Sequence, residues 1–339
     1  MDAAALTADE ATELTGALVR IGWARPGELP RFTPLAGGVS SLIVRADLGG
    51  RSVCVKRALP KLKVASDWSA PIERSDAEAA WLRTAAAIVP GSVPRPIGQD
   101  RVTRAFAMDF LDPADYPVWK SQLLAGQADA STARAVASAL VAIHAATAGR
   151  PEVAAAFPNH LNFAALRLEP YFAAAALAHP AQARVLGALI RRTDSTRLAL
   201  IHGDVSPKNI LVGPHGPILV DAECATYGDP AFDVAFCLNH LLLKCVWRPQ
   251  TKAAYLACYE AFSDVYFAGV QWEPRATIEQ RASTLLPALL LARVDGKSPV
   301  EYLVDEARRE LVRRFAIEGL DRPGDSIAAL RDNWNRHIQ

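Results

Sequence analysis

The chain has 339 residues and a formal net charge of +1, with 51% apolar and 22% charged residues, the ordinary proportions of a soluble globular protein. A balance so near neutral argues against nucleic acid as a main partner, because phosphate backbones call for a basic stripe. No run of about eighteen apolar residues occurs, so no membrane span is expected, and the length suits two unequal units better than one core.

The opening stretch MDAAALTADEATEL carries acids where an export signal needs cations before an apolar core, which points to a cytoplasmic protein. Five cysteines, Cys54, Cys224, Cys237, Cys245 and Cys258, form no close pair and fit buried free thiols in a reducing compartment. Gly37, Gly38 and Ser40 precede two β-type runs, 42–48 and 51–56, around the turn Gly49-Gly50, a strong hairpin signal. The cluster Arg57, Lys61 and Lys63 follows that strand and reads as a solvated edge. An Ala-rich helix is expected over 71–85, with Pro71 in its first turn. On it Glu78 emerges beside the face of Trp81, Leu82 and Ala85, whereas Glu73 lies in the opening turn, where acids suit the helix dipole. A buried strand over 104–110 then runs into the breaker Asp112-Pro113, which places the domain cut between 111 and 112.

The segment 202–233 is the richest: HGDVSPKN, a short apolar hairpin, then DAE and GDPAFD. Two equal apolar runs, 210–212 and 218–220, flank a Gly/Pro turn and read as paired strands. Pairing brings Asn209 and Asp221 together at the open end, where two oxygen-bearing side chains can share a hard cation. Asp204 lies five residues before Asn209, the spacing of a kinase catalytic loop in which an Asp accepts the proton of the attacking hydroxyl.

These motifs resemble the aminoglycoside phosphotransferase family, the small-molecule branch of the protein-kinase-like fold, which carries HGD and D-x-E where protein kinases usually carry HRD and DFG. The resemblance implies an α+β, bilobal protein-kinase-like fold. A small N-terminal lobe, 1–111, would have an antiparallel sheet and one main helix, with a hinge at Asp109, Phe110 and Leu111 whose backbone meets adenine. A larger, mostly α-helical lobe, 112–339, would carry catalysis and the acceptor. It also implies ATP and Mg²⁺ as cofactors, with Asp204 as catalytic base and Asn209 and Asp221 as metal ligands. Glu223 would assist through water or touch the substrate. Asp233 would brace the catalytic loop, and His202 opens it. Gly37, Gly38 and Ser40 would cover the ATP phosphates, and Lys56, paired with Glu78, would bridge the α- and β-phosphates.

The expected acceptor is a hydroxylated small molecule, in a monomer or homodimer. From residue 112 onward 23 Lys plus Arg face 24 Asp plus Glu, whereas a polycationic aminoglycoside favours a markedly acidic cleft. A second resemblance, to 5-methylthioribose kinases, rests on the stretch from Arg57 to Trp68 and on Arg293 in LLARVD. It implies that Trp68 and Arg293 hold a sugar or polyol. Each admits another reading, a core aromatic and a surface cation. Two positions depart from those kinases: Asn209 stands where they usually have Ser, and Arg293 is single where theirs is tandem. Ser206 stands where protein kinases place Lys or Arg and the aminoglycoside enzymes commonly place His. The charge for the transferring phosphoryl would therefore come from Mg²⁺, Lys208 or a substrate-loop Arg.

Other readings compete. An aminoglycoside O-phosphotransferase and a silent nucleotide-binding pseudokinase are alternatives, and a protein kinase is disfavoured by the missing HRD, DFG and APE-like segment. Asp295-Gly296-Lys297-Ser298 ends like a Walker A motif, but Leu291 occupies the required Gly position. Ser298 to Glu301 reads instead as a capping box that opens a helix. Cys237, His240 and Cys245 lie in an apolar run, 235–247, that reads as a core helix rather than a zinc site.

Overall fold

The computed structural model describes residues 6–35, 41–59, 73–322, 324 and 326–338, so Gly37, Gly38, Ser40 and Trp68 lie outside the described residues. The chain divides into two compact units, Met1–Tyr116 and Pro117–Gln339.

The first unit begins with helix α1 (Ala8–Ile21), opened by a reciprocal capping box between Thr7 and Glu10 and closed by left-handed Gly22. Five antiparallel strands follow, in the spatial order β1-β2-β3-β5-β4: β1 (Arg31–Pro34), β2 (Ser41–Leu48), β3 (Arg51–Ala58), β4 (Pro96–Asp100) and β5 (Ala105–Asp109). The β2–β3 turn needs positive φ at both central residues, and Gly49 and Gly50 supply 58° and 79°. Leu14, Ala17 and Leu18 of α1 pack on the face of the sheet that buries Val44, Ala46, Val53 and Val55. Helix α2 (Arg74–Ile88) buries Ala77, Trp81, Leu82 and Ala85 at helical spacing. The sequence reading gave this unit one main helix, and α1 adds a second on a short Leu/Ala stripe.

The second unit runs through α3 (Trp119–Leu124), α4 (Ala130–Thr147), α5 (Pro151–Ala156) and α6 (His160–Phe163) into a π-helical stretch (Ala164–Ala173), α7 (Ala174–Ala178) and α8 (Ala183–Ser195). Three strand segments, β6 (Ala199–Ile201), β7 (Ile210–Gly213) and β8 (Gly216–Leu219), precede β9 (Thr226–Gly228), with β6 pairing β9 and β7 pairing β8. The chain ends in α9 (Pro230–Trp247), α10 (Lys252–Ala268), α11 (Arg275–Asp295), α12 (Glu306–Asp321) and α13 (Ile327–His337). Helix α9 is buried on every side, so Cys237, His240 and Cys245 lie along a core helix. Among the described residues no group of three or more His, Cys, Asp or Glu is placed to hold a metal. No helix among them is long and apolar enough to cross a membrane.

One expectation fails. Ser298 opens no helix: α12 begins at Glu306, with Asp305 as the cap accepting from Arg308 N. The Ser298 carbonyl and hydroxyl are both taken by Arg293, and Glu301 is paired with Lys120, so neither half of the capping box is available.

Asp100 ties α1 to β4. Its buried carboxylate accepts the Arg20 guanidinium bidentately at 2.9 and 2.8 Å, and also accepts from Val102 N, Thr103 N and Thr103 Oγ1. Arg20 is the main cause holding this carboxyl well below its usual range. Asp100→Asn should cost about 1–3 kcal/mol at pH 7. A depressed folded pKa contributes stability above the unfolded value of ~4 and loses it as pH falls through the folded value. Denaturant unfolding should therefore separate wild type from variant at pH 7, with the gap narrowing once the pH drops below ~4.

Candidate active site

The HGD motif, 202–204, is built on a turn that only glycine fits. Gly203 has φ +77°, and a Cβ there would lie 2.8 Å from the Cys224 carbonyl. The turn is held from α9, whose N-cap is Asp229 and whose first turn carries Asp233. The fully buried Asp233 carboxylate accepts His202 N at 2.7 Å and Gly203 N at 2.8 Å. His144 approaches the same carboxylate at 3.3 Å and is itself fixed by Tyr266 Oη at 2.8 Å. His202 Nδ1 accepts Asp204 N, which leaves Nε2 as the donor to the Val220 carbonyl. Burial pushes His202 below its ordinary pKa, so the ring is a neutral strut between the loop and the hairpin.

Asp204 follows, 2% exposed. Its Oδ2 meets Arg167 Nη2 at 2.6 Å and Lys208 Nζ at 3.2 Å. Burial alone would raise this carboxyl, but Arg167 and then Lys208 outweigh it and hold it below the usual carboxylate range. The side chain is therefore an acceptor-only carboxylate at neutral pH.

Arg167 was not among the sequence-predicted residues. It lies in the π-helical stretch, where Pro170 has no N–H to give the Leu166 carbonyl, and Arg167 Nη1 takes that carbonyl at 2.7 Å. Its Nε reaches the Gly203 carbonyl at 2.8 Å, so one guanidinium grips both the loop backbone and Asp204. The only sequence signal was a single Arg inside an apolar run that contains a proline.

Asn209 and Asp221 stand at the open end of the β7–β8 hairpin. Ile210 pairs with Leu219, and Val220 N donates to the Asn209 carbonyl at 3.0 Å. The Asn209 amide nitrogen donates to the Asp204 carbonyl at 3.1 Å, which turns its oxygen outward as an acceptor. Asp221 adopts φ +67°, a left-handed conformation that Asp tolerates better than most residues. An amide oxygen and a carboxylate suit Mg²⁺, which takes one or two protein oxygens and completes its shell with water and phosphate. Glu223 is buried in the turn that follows, outside the lining of the cavity that holds Asp204.

In the first unit, Lys56 Nζ lies 2.8 Å from both carboxylate oxygens of Glu78, and the two side chains are 3% and 2% exposed. Ile43 faces Lys56 across the hairpin, and Phe106 faces it from β5, which fixes the position of the lysine backbone. Glu73 turns instead to Arg104, at 3.1 Å. Asp109 ends β5 with its N–H given to the Arg95 carbonyl and its carboxylate to the Arg95 guanidinium. Phe110 lies under the Arg45 guanidinium, 4.6 Å from the ring centroid, and Leu111 is half-buried beyond it.

Arg293, which the sequence left open as a surface cation, is 9% exposed and lines a cavity with Asp204 and Ser206. Replacing Asp233 with Ala should cost roughly 2–6 kcal/mol, because two buried N–H groups lose their acceptor at ~1–3 kcal/mol each. Asp233→Asn keeps one acceptor oxygen and should cost less in the same denaturant titration.

A sequence model of the phosphotransferase enzyme family matches residues 31–265. Methylthioribose kinase 2 of Oryza sativa subsp. japonica is 24% identical over 229 residues, which cover 59% of this chain and 53% of that protein. The match therefore spans about half the length of that relative. Among solved structures, a choline/ethanolamine kinase family protein from Mesorhizobium loti superposes with a TM-score of 0.51 at 18% identity, covering 95% of this chain and 99% of the other. An aminoglycoside phosphotransferase from Alicyclobacillus acidocaldarius gives 0.51 at 16% identity, covering 98% of each chain. At these identities the likeness carries the fold alone, the α+β protein-kinase-like one. With the family model matched across both units, the chain belongs to the phosphotransferase enzyme family, that of the aminoglycoside phosphotransferases.

Proposed function

We propose that this chain transfers the γ-phosphate of ATP to a hydroxyl of a small molecule, a sugar or polyol of the kind methylthioribose represents. The observation that carries the reading is the state of Asp204. Two cations hold Oδ2 and leave Oδ1 as the oxygen for an acceptor hydroxyl. The hydroxyl oxygen attacks the γ-phosphorus, the bond to ADP breaks, and the hydroxyl proton passes to Asp204.

Arg167 positions this carboxylate and lowers its basicity, so proton acceptance comes late, once the hydroxyl has been acidified by bonding to phosphorus. Lys208 is half exposed and holds Asp204 only at 3.2 Å, so it is the cation free to turn to the transferring group in place of a basic residue at Ser206. Asn209 and Asp221 would hold Mg²⁺, which would supply positive charge to the phosphates. In the first unit Lys56, fixed by Glu78, takes the α- and β-phosphates, and the backbone of Phe110 and Leu111 takes the adenine edge. The roles of Gly37, Gly38, Ser40 and Trp68 stay as the sequence suggested them.

Asp204→Asn should bind ATP with Mg²⁺ about as well as wild type in a calorimetric titration and lose roughly 10²–10⁴-fold in turnover. Full turnover by this variant would sink the assignment of Asp204. A wild-type protein that neither binds ATP with Mg²⁺ nor releases ADP with any of the sugars, polyols, amino alcohols or aminoglycosides tested would sink the kinase reading.

A further inference from the structure

The cavity beside Asp204 has a volume of about 170 Å³ and is lined entirely by the second unit. At ~10–15 Å³ per water position it has room for a compact acceptor rather than a multi-ring one. Its charged lining is four cations, Lys120, Lys208, Lys244 and Arg293, against two carboxylates, Asp204 and Glu301. Lys120 pairs with Glu301, and Lys208 with Asp204. That leaves Lys244 and Arg293, neither of which has a carboxylate within 4 Å among the described residues.

Lys244 is the more unusual of the two. It is 1% exposed on the all-buried helix α9, with Nζ 3.6 Å from the centroid of the Tyr302 ring. Burial, with Lys120 and Arg293 adding repulsion that Glu301 only partly offsets, pulls its ammonium down to about 7. An isolated buried cation is costly, and such groups are ordinarily paired. His240 adds no charge to the set, because burial and then Arg293 and Lys244 drive it well below its ordinary pKa.

A second observation concerns hydrogen bonds. Ser206 Oγ, Tyr302 Oη and Arg293 Nε are buried and have no hydrogen-bond partner among the described residues, and all three residues line this cavity. Each can donate. Unsatisfied buried polar groups are rare in folded proteins, and three donors around one cavity call for a ligand rich in acceptors. A neutral sugar would answer the donors but leave both cations uncompensated, and an aminoglycoside would add cations to cations. Only an anion answers both.

We propose that the acceptor carries an oxyanion, a phosphate ester or a carboxylate, bound by Lys244 and Arg293 with Ser206 and Tyr302 while its hydroxyl meets Asp204. This rests on the phosphotransfer reading of the same site for the hydroxyl, and replaces a neutral methylthioribose-like acceptor by an acidic sugar or polyol. Ser206 then has a positive use: the position that lost a basic side chain supplies a hydroxyl to the anion, and the positive charge moves to Lys244 and Arg293.

Matched pairs test this: ribose with ribose 5-phosphate, glucose with gluconate, and glycerol with glycerate. Each compound is measured for ADP release with ATP and Mg²⁺, and for calorimetric binding without nucleotide. At least one acidic member should bind about tenfold more tightly than its neutral partner, and Lys244→Met should erase about tenfold of that affinity. Tyr302→Phe, which keeps the ring beside Lys244 and removes one donor, should weaken binding of the acid several-fold. Lys244→Met should also melt no lower than wild type, most clearly below pH ~7 where Lys244 is a protonated buried cation. Neutral compounds binding as well as their acids, or acid affinity indifferent to Lys244, would overturn the proposal even if neutral acceptors were phosphorylated. Acids that bind through Lys244, with no compound releasing ADP and no binding of ATP with Mg²⁺, would uphold the anion site and overturn the kinase reading.

Discussion

The Asp233 carboxylate is the fixed point of the second unit. A buried anion is tolerable only when its lone pairs are filled, and here two consecutive loop N–H groups fill them. That demand orders the rest. The loop can offer both N–H groups to one carboxylate only by turning sharply at Gly203, and the turn delivers Asp204 with its backbone already engaged by His202. His202, neutral and bridged to the Val220 carbonyl, then sets the height of the β7–β8 hairpin relative to the loop. Asn209 and Asp221 inherit their places from that hairpin.

Arg167 adds a second constraint of a different sort. Its guanidinium bonds the Gly203 carbonyl and the Asp204 carboxylate, so it stabilises the loop and tunes the acid together. The cost to the helix is visible: with Pro170 in place the helical ladder cannot close at Leu166, and the stretch widens into a π-helix. π-helical turns recur at functional sites. The Leu166 carbonyl also accepts Arg167 Nη1.

The elements that could be read from the chain are those governed by local rules. Gly49-Gly50 between β-type runs fixed the β2–β3 register, and the equal runs around 213–216 did the same for β7 and β8. Glu78 rather than Glu73 could be picked as the Lys56 partner because helical spacing puts it beside Trp81, Leu82 and Ala85. What could not be read depends on tertiary competition. The Ser298 capping box failed because Arg293 and Lys120 claim its two members. Arg167 and Lys244 stand in largely apolar runs that look like plain core, and only folding shows that one meets Asp204 and that the other has no carboxylate within 4 Å among the described residues.

Charge shows the same limit on a larger scale. From residue 112 onward the count is 23 cations to 24 acids, a near-neutral balance. It hides the local imbalance, because several acids of the unit are spent on structural partners: Asp229 and Glu273 on Arg281, and Asp295 on Arg313 and His179. With those acids committed elsewhere, neither Lys244 nor Arg293 has a carboxylate within 4 Å among the described residues, and burial leaves the Lys244 ammonium at about 7. A fold selected only for stability would have placed Met at 244, as apolar replacements of buried ionic groups are often neutral or stabilising. Holding a lysine there makes sense when the missing partner arrives with the substrate, so that binding supplies the neutralisation that folding withholds.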